Sequence, residues 1–372
     1  MNEIRAITIL LLAAGVASLV TPLVMRFALA IGAVDRPNER KVSRRERMPL
    51  LGGLAVGVGC AAALSVSTVW SGGPAIWPKA AGFAVGASLL MAVGFVDDRF
   101  TIRASTKFGF QVMAALIAIQ AGFRFDLFSD PLTLRTLDVP FWIMLPVSLV
   151  WIVGVTNAMN LVDGLDGLSS GLGAIIAATL TIICWQAQQW VGVVIGLSLC
   201  GALIGYLPYN FPPARVFLGD TGSLLIGFGL AVLALEGYRK AAFLAFIVPM
   251  LALAIPLLDT LLSIVRRVRS GRSMFSPDKL HMHHRLLMRE GSHRNAVLML
   301  YFLTSCFCMI AISFAQIDGW LAFVYLVAVV AVTIRLLRNL DAFSLEGPSA
   351  TSQKATEQDP SATVGHEGED ES

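Results

Sequence analysis

Charged residues are scarce in this sequence. Asp, Glu, Lys and Arg make up 14% of its 372 residues, whereas soluble domains contain about 25%. Hydrophobic residues make up 56%, and a soluble body of this size could not cover that much apolar material with polar surface. The same abundance excludes intrinsic disorder for most of the chain. The composition therefore predicts an integral membrane protein.

Cysteine is scarce as well, and its positions exclude a disulfide scaffold. All five cysteines lie inside apolar stretches, where packing is the expected role; they are Cys60, Cys184, Cys200, Cys306 and Cys308. The last two are only two residues apart. They would therefore face different sides of a helix, and they lack the spacing of a metal site.

Negative charge is scarce everywhere except at the C-terminus. From Asp341 onward the sequence has eight acidic residues and a single base, Lys354. Of the 28 basic and 25 acidic residues of the chain, 27 and 17 precede that point, which gives residues 1–340 a net charge of +10. We predict a membrane domain over residues 1–340 and an acidic, disordered cytoplasmic tail over residues 341–372.

Long apolar stretches, in contrast, are abundant. A helix that crosses the bilayer needs about 20 apolar residues, and eleven stretches fit: residues 4–31, 50–70, 79–96, 105–122, 140–157, 168–187, 190–208, 222–235, 241–264, 295–316 and 318–338. The loops after the odd-numbered stretches hold 18 Lys and Arg, against six on the other side, and basic loops stay in the cytoplasm. The sequence thus predicts an all-α polytopic membrane protein with about eleven transmembrane helices, a periplasmic N-terminus and a cytoplasmic C-terminus.

Four polar clusters that could carry chemistry all fall in the loops predicted to be cytoplasmic. They are Asp97-Asp98-Arg99, the segment from Asn157 to Gly167, Gly219-Asp220-Thr221-Gly222-Ser223, and His281-Met282-His283-His284-Arg285. A random distribution would have put some of them on the outer side. We therefore expect one active site at the cytoplasmic membrane surface.

The acidic clusters favour phosphate chemistry assisted by a metal ion. Asp97 and Asp98 end an apolar stretch, where acids oppose the helix dipole, so a partner such as Arg99, Arg103, Lys107 or a metal is expected. On a helical turn Asp163 and Asp166 would share one face, and Asn160 extends the row. Such oxygen donors suit Mg²⁺, which usually keeps substrate phosphates in its shell.

The other clusters leave alternatives open. The Gly219–Ser223 segment fits a helix cap as well as a phosphate site. The histidine cluster fits diphosphate binding, attraction to anionic lipid, or less readily a zinc site. Asp259 lies within an apolar stretch, either as a functional group or paired with a neighbouring cation. The set as a whole predicts phosphoryl transfer from a metal-bound nucleotide to a lipid acceptor.

These motifs, in this order, resemble the polyprenyl-phosphate N-acetylhexosamine-1-phosphate transferase family over residues 1 to about 338. The resemblance also includes Asp35-Arg-Pro-Asn-Glu-Arg-Lys41, Leu51-Gly-Gly53 and Phe217-Leu218 before Gly219. The His-x-His-His-Arg form is similar to the branch that uses UDP-GlcNAc. The resemblance implies transfer of GlcNAc-1-phosphate to undecaprenyl phosphate in the bacterial inner membrane, as the first membrane step of a surface polysaccharide such as O-antigen, common antigen or a teichoic acid linkage unit.

The resemblance also implies a role for individual residues. Asp97 would be the base, with Asp98 beside it, and Asp163 joins them as a catalytic residue. Asp220 would bind Mg²⁺, for which Mn²⁺ is a substitute, and Asn160 would add a ligand. The implied substrate-binding residues are Lys107, Asp166, Asn210, Phe217, His281, His283, His284 and Arg285.

Several other functions compete with this interpretation. One is the same reaction with another UDP-N-acetylhexosamine. A nucleotide-sugar transporter would place its polar residues near the bilayer midplane, and an intramembrane aspartyl protease would use Asp220 with Asp259. A CDP-alcohol phosphatidyltransferase would need further acids after Asp163-Gly164. The expected partners are UDP-GlcNAc, undecaprenyl phosphate and membrane lipids, without nucleic acid, and a homodimer is the assembly left open.

Overall fold

The computed structural model describes residues 1–35, 48–71, 77–125, 127–129, 136–237, 247–269, 286–287 and 292–315, with short helical pieces between 324 and 335. The helices are α1 Glu3–Ile31, α2 Gly52–Ser71, α3 Trp77–Phe100, α4 Ala104–Gln120, α5 Phe141–Val162, α6 Leu168–Gln186, α7 Trp190–Asn210, α8 Gly219–Gly237, α9 Ile247–Ala252, α10 Ala254–Arg269 and α11 His293–Phe314. The structure is thus mostly helical.

Two short antiparallel strand pairs accompany the helices. The first joins β1 Val34–Asp35 to β2 Met48–Pro49, and Val34 lies opposite Pro49. The second joins β3 Leu127–Ser129 to β4 Thr136–Asp138.

Within the described ranges, eight helices are long and apolar enough to cross a membrane, namely all except α4, α9 and α10. Helix α4 has 17 residues. The predicted ninth span is divided at Leu253 into α9 and α10, and most of the eleventh lies outside the described residues, as does the acidic tail. The prediction of an all-α polytopic protein agrees with the structure, whereas eleven spans and their sidedness stay predictions.

Helix α8 lies at the centre of the bundle. It packs against α2, α3, α5, α6 and α7, and nearly every one of its side chains is buried. Small residues allow this close approach, as they do between membrane helices in general. At Gly227, for example, a Cβ atom would lie 2.6 Å from the Cα of Thr156 in α5.

Large apolar side chains cover the outside of the bundle. Leu19 of α1 and Trp142 of α5 are 77% and 73% exposed, and many other large apolar side chains are exposed as well. A soluble protein rarely exposes so much apolar surface to water. Lipid tails solvate such surfaces, so the outer faces of these helices fit a bilayer. This is a multi-pass membrane protein.

Candidate active site

The start of α8 meets the ends of α3 and α5 and the first turns of α4. Five of the predicted site residues lie there, namely Asp97, Asp98, Lys107, Asn160 and Asp220. The Lys107 ammonium of α4 joins two of them. Its Nζ donates to Asp97 Oδ2 at 2.9 Å and to Asp220 Oδ2 at 2.8 Å. All three side chains keep some contact with solvent: 24% of the Lys107 side chain is exposed, 13% of that of Asp97 and 25% of that of Asp220. One cation therefore holds two carboxylates from different helices side by side.

Asn160, in the last turn of α5, approaches Asp220 from the other side. Its Nδ2 donates to Asp220 Oδ1 at 3.1 Å and to Ser223 Oγ at 2.8 Å. Asp220 therefore has one oxygen on Lys107 and the other on Asn160. The structure thus brings together four of the predicted site residues, Asp97, Lys107, Asn160 and Asp220.

Asp98 has a different environment from that of its neighbour Asp97. Its Oδ1 accepts the Asp220 N–H at 2.8 Å, and its Oδ2 accepts the Thr221 N–H at 3.1 Å and the Thr221 hydroxyl at 2.6 Å. Asp98 thus ends its own helix but caps the N-terminus of α8, where a negative charge is favourable. Both Asp98 oxygens are used in holding α8.

The glycines around this cap are required by close contacts. Gly219 has a φ of +71°, and a Cβ there would overlap the Asp98 carboxylate, 2.8 Å from its Cγ. A Cβ on Gly53 would lie 2.6 Å from the Thr221 carbonyl carbon. Gly53 also donates its N–H to Leu218 O at 2.9 Å. This is a structural reason for Gly53 in the sequence.

The loop after α5 corrects one expectation. Helix α5 ends at Val162, and Asp163 is the C-cap residue with a ψ of 52°, so Asp163 and Asp166 do not share a helical face. The Oδ2 of Asp166 accepts the Ala214 N–H at 3.0 Å. Gly167, just before α6, has a φ of +73°, a conformation that glycine adopts readily.

Asp163 lies in the electrostatic field of the other acids. Removal from water raises the pKa of its carboxyl well above the usual value, and the charges of Asp220, Asp98 and Asp166 raise it further. The negative charge here exceeds what Lys107 neutralises. A bound cation would relieve this repulsion.

The donor chemistry of the cluster fits Mg²⁺. Mg²⁺ is held by one or two carboxylates and completes its shell with water and substrate phosphates, and Asp220 with Asn160 offers such a partial set. The Lys107 ammonium between Asp97 and Asp220 shows that this pair accepts a cation. In the described part of the chain, no group of three or more His, Cys, Asp or Glu converges as a complete metal cage.

Two of the predicted nucleotide-binding residues, Asn210 and Phe217, make hydrogen bonds within the protein. Asn210 is buried, its Oδ1 accepts from Ser170 Oγ at 2.6 Å, and its Nδ2 donates to Val216 O at 2.9 Å. Its amide thus holds the loop after α7. Phe217 is half-buried on the same loop, and its N–H donates to Pro49 O at 2.9 Å.

The remaining predicted residues are the histidine cluster with Arg285, and Asp259. His281, His283, His284 and Arg285 lie outside the described residues, so their contribution stays a prediction. Asp259 is buried in α10, 2% exposed, and it has an interaction partner.

Helix α11 makes two contacts that the sequence did not reveal. The Tyr301 hydroxyl donates to the Gly167 carbonyl. The Arg294 guanidinium lies 5.8 Å from the centre of the Phe211 ring. Both contacts hold the loops that follow α5 and α7. A single tyrosine in an apolar helix gave no signal by which this role could have been found.

Known proteins with similar sequences are named as transferases. The family model described as glycosyl transferase family 4 matches residues 80–238. The chain is 33% identical to the probable undecaprenyl-phosphate N-acetylglucosaminyl 1-phosphate transferase of Bacillus subtilis, over 87% of the chain and 88% of that protein. It is 37% identical to the decaprenyl-phosphate N-acetylglucosaminephosphotransferase of Mycolicibacterium smegmatis, over 84% of each. It is 32% identical to the undecaprenyl-phosphate alpha-N-acetylglucosaminyl 1-phosphate transferase of Escherichia coli K12, over 72% of each.

Proposed function

The chain belongs to the polyprenyl-phosphate N-acetylhexosamine-1-phosphate transferase family, and from this membership we propose that it transfers GlcNAc-1-phosphate from UDP-GlcNAc to undecaprenyl phosphate. The products are undecaprenyl-diphospho-GlcNAc and UMP. The observation that carries the proposal is the Lys107 ammonium shared by Asp97 and Asp220 at one end of the helix bundle. Carboxylates and a cation so arranged suit phosphoryl transfer, which depends on positioning and charge neutralisation.

Asp97 is the base in this mechanism. Its Oδ1 accepts the Ile102 N–H at 2.8 Å, which fixes the carboxylate, while Oδ2 is free to exchange Lys107 for the acceptor. Asp97 takes the proton of the lipid phosphate. That phosphate oxygen then forms a bond to the β-phosphorus of UDP-GlcNAc, and the bond from the β-phosphorus to the UMP oxygen breaks. A two-step route through an aspartyl intermediate is the alternative mechanism.

Lys107 and Asp220 bind the phosphates. The Lys107 ammonium moves from carboxylates to phosphate oxygens at little electrostatic cost, because both are anionic. Asp220 and Asn160 would hold Mg²⁺, or Mn²⁺ in its place. When bound, the ion supplies charge neutralisation for the donor diphosphate.

The remaining acids position these groups. Asp98 fixes the first turn of α8 and thereby the place of Asp220, a role distinct from the direct catalytic role expected of it. Asp163 lies close enough to feel the charges of Asp220 and Asp98, and Asp166 holds the loop after α5 through its hydrogen bond to the Ala214 N–H. His281, His283, His284 and Arg285 would bind the diphosphate or the sugar.

The cellular setting follows from the same proposal. We place the chain in the bacterial inner membrane with its site facing the cytoplasm, where UDP-sugars are made. The reaction would start a surface polysaccharide of the O-antigen, common antigen or teichoic acid type. The end-of-bundle position of the cluster argues against a transporter, whose site would lie near the midplane.

A panel of donors tests the choice of sugar. Purified protein in lipid vesicles is given undecaprenyl phosphate, Mg²⁺ and either UDP-GlcNAc, UDP-GalNAc or UDP-glucose. We expect UDP-GlcNAc to give the highest kcat/KM, by at least about tenfold over UDP-glucose, since a site that hydrogen-bonds an acetamido group rejects donors lacking it. Equal or greater kcat/KM with UDP-GalNAc would assign the alternative N-acetylhexosamine.

A further inference from the structure

A pair of side-chain amides joins α4 to α5 inside the bundle. Gln111 Nε2 donates to Asn157 Oδ1 at 3.3 Å, and Asn157 Nδ2 donates back to Gln111 Oε1 at 2.6 Å. Asn157 Nδ2 also donates to Val153 O at 2.8 Å. Gln111 is only 4% exposed. The contact is therefore reciprocal, with Gln111 buried and Asn157 part-buried.

The pair lies one helical turn from the candidate site on both helices. Gln111 follows Lys107 by four residues on α4, and Asn157 precedes Asn160 by three residues on α5. Residues at these spacings share a helix face. The amide pair thus lies behind the two side chains that hold the Asp220 carboxylate from opposite sides.

The burial of Gln111 makes the geometry of this contact restrictive. Gln111 is buried, and a buried amide is costly unless its polar atoms are paired. The two helices can therefore adopt few relative positions that satisfy both amides. A sliding or rotation of α4 against α5 would break the pair and at the same time move Lys107 away from Asn160.

We infer that Gln111 and Asn157 are positioning residues that set the distance between Lys107 and Asn160 across Asp220. This inference rests on the proposed function for its kinetic consequence, although the geometric consequence for Lys107 does not depend on it. The pair acts through Lys107 and Asn160 and does not touch the substrates.

Ser148 offers a matched control. Its Oγ accepts the Phe125 N–H at 3.0 Å, which ties α5 to the segment after α4 at the far end of the two helices. Ser148→Ala removes a buried hydrogen bond between the same parts of the chain without touching the site end. If the amides had a purely structural role, removing them should affect kinetics and Lys107 labelling no more than Ser148→Ala does.

The experiment compares Gln111→Leu, Asn157→Leu, the double leucine variant and the exchanged pair Gln111→Asn/Asn157→Gln with wild type and Ser148→Ala. The exchange keeps the combined length of the two side chains. Two readouts are used: steady-state kinetics with UDP-GlcNAc and undecaprenyl phosphate, and the rate at which an amine-reactive reagent labels Lys107, relative to Lys79. Lys79 is a suitable reference because its ion pair with Glu236 lies at the other end of α8.

Each leucine variant is expected to lower kcat by about tenfold or more, since a displacement on the order of 1 Å has such effects, while KM for UDP-GlcNAc changes by less than about twofold. The double variant should be no worse than the singles, because both remove one contact. Labelling of Lys107 should rise severalfold, the exchanged pair should recover most of the activity, and Ser148→Ala should alter neither readout.

Unchanged kcat and unchanged Lys107 labelling in the leucine variants would overturn the inference, as would equal effects in Ser148→Ala. Failure of the exchanged pair to restore either readout would also contradict it. A wild-type protein that makes no lipid product would refute the proposed function instead. The labelling of Lys107 would still decide the inference in that case.

Discussion

The Asp97→Asn variant is expected to lose turnover by about 10³-fold, within the range attributed to a positioned general base. Asparagine keeps the size of the side chain and can still accept the Ile102 N–H, but it cannot take a proton from the lipid phosphate. Binding of UDP-GlcNAc should change by less than about twofold, since the donor is held elsewhere. Initial rates of UMP release and equilibrium binding of the donor measure the two effects separately.

Asp138→Asn is the matched control for this variant. Asp138 is an exposed residue of β4, so the same chemical change there should leave turnover unaltered. Turnover close to wild type in Asp97→Asn would remove Asp97 from the mechanism.

The Asp220→Asn variant should differ from Asp97→Asn in its dependence on metal. Asp220 contacts both Lys107 and Asn160, so loss of its charge weakens the cation site at its centre. Turnover should again fall by about 10³-fold, corresponding to several kcal/mol of lost charge stabilisation. The Mg²⁺ concentration for half-maximal rate should also rise by about tenfold or more.

A titration of the residual rate with Mg²⁺ checks this second expectation, and Asp97→Asn in the same titration serves as the comparison. In Asp97→Asn the half-maximal Mg²⁺ concentration should stay near that of wild type. Equal Mg²⁺ dependence of wild type and Asp220→Asn would mean that Asp220 is not a metal ligand.

The sequence predicted the parts of the site that local chemistry determines. Acids are costly within a membrane protein, so the Asp97-Asp98 pair stood out, and Lys107 was among its named partners. The role of Asp220 came from the family resemblance. Apolar stretches of bilayer length likewise predicted most of the helices, because each stretch is a continuous local pattern.

The parts that depend on tertiary contacts could not be predicted. Nothing near Asp98 in sequence shows that its partner is the N-terminus of α8, more than a hundred residues later. Helical periodicity placed Asp163 and Asp166 on one face, but the helix ends at Val162 and the chain turns before α6, where Gly167 has a positive φ. The amides of Gln111 and Asn157 meet only when α4 packs on α5.

The fate of the β-phosphorus of the donor tests the central claim most directly. UDP-GlcNAc labelled at that phosphorus is supplied to the purified protein in vesicles with undecaprenyl phosphate and Mg²⁺. Sugar-phosphate transfer moves the label into the lipid product and releases unlabelled UMP in equal amount. Release of labelled UDP with an unlabelled glycolipid would show transfer of the sugar alone, and labelled donor trapped inside the vesicles without lipid product would show transport. Either result would contradict the account.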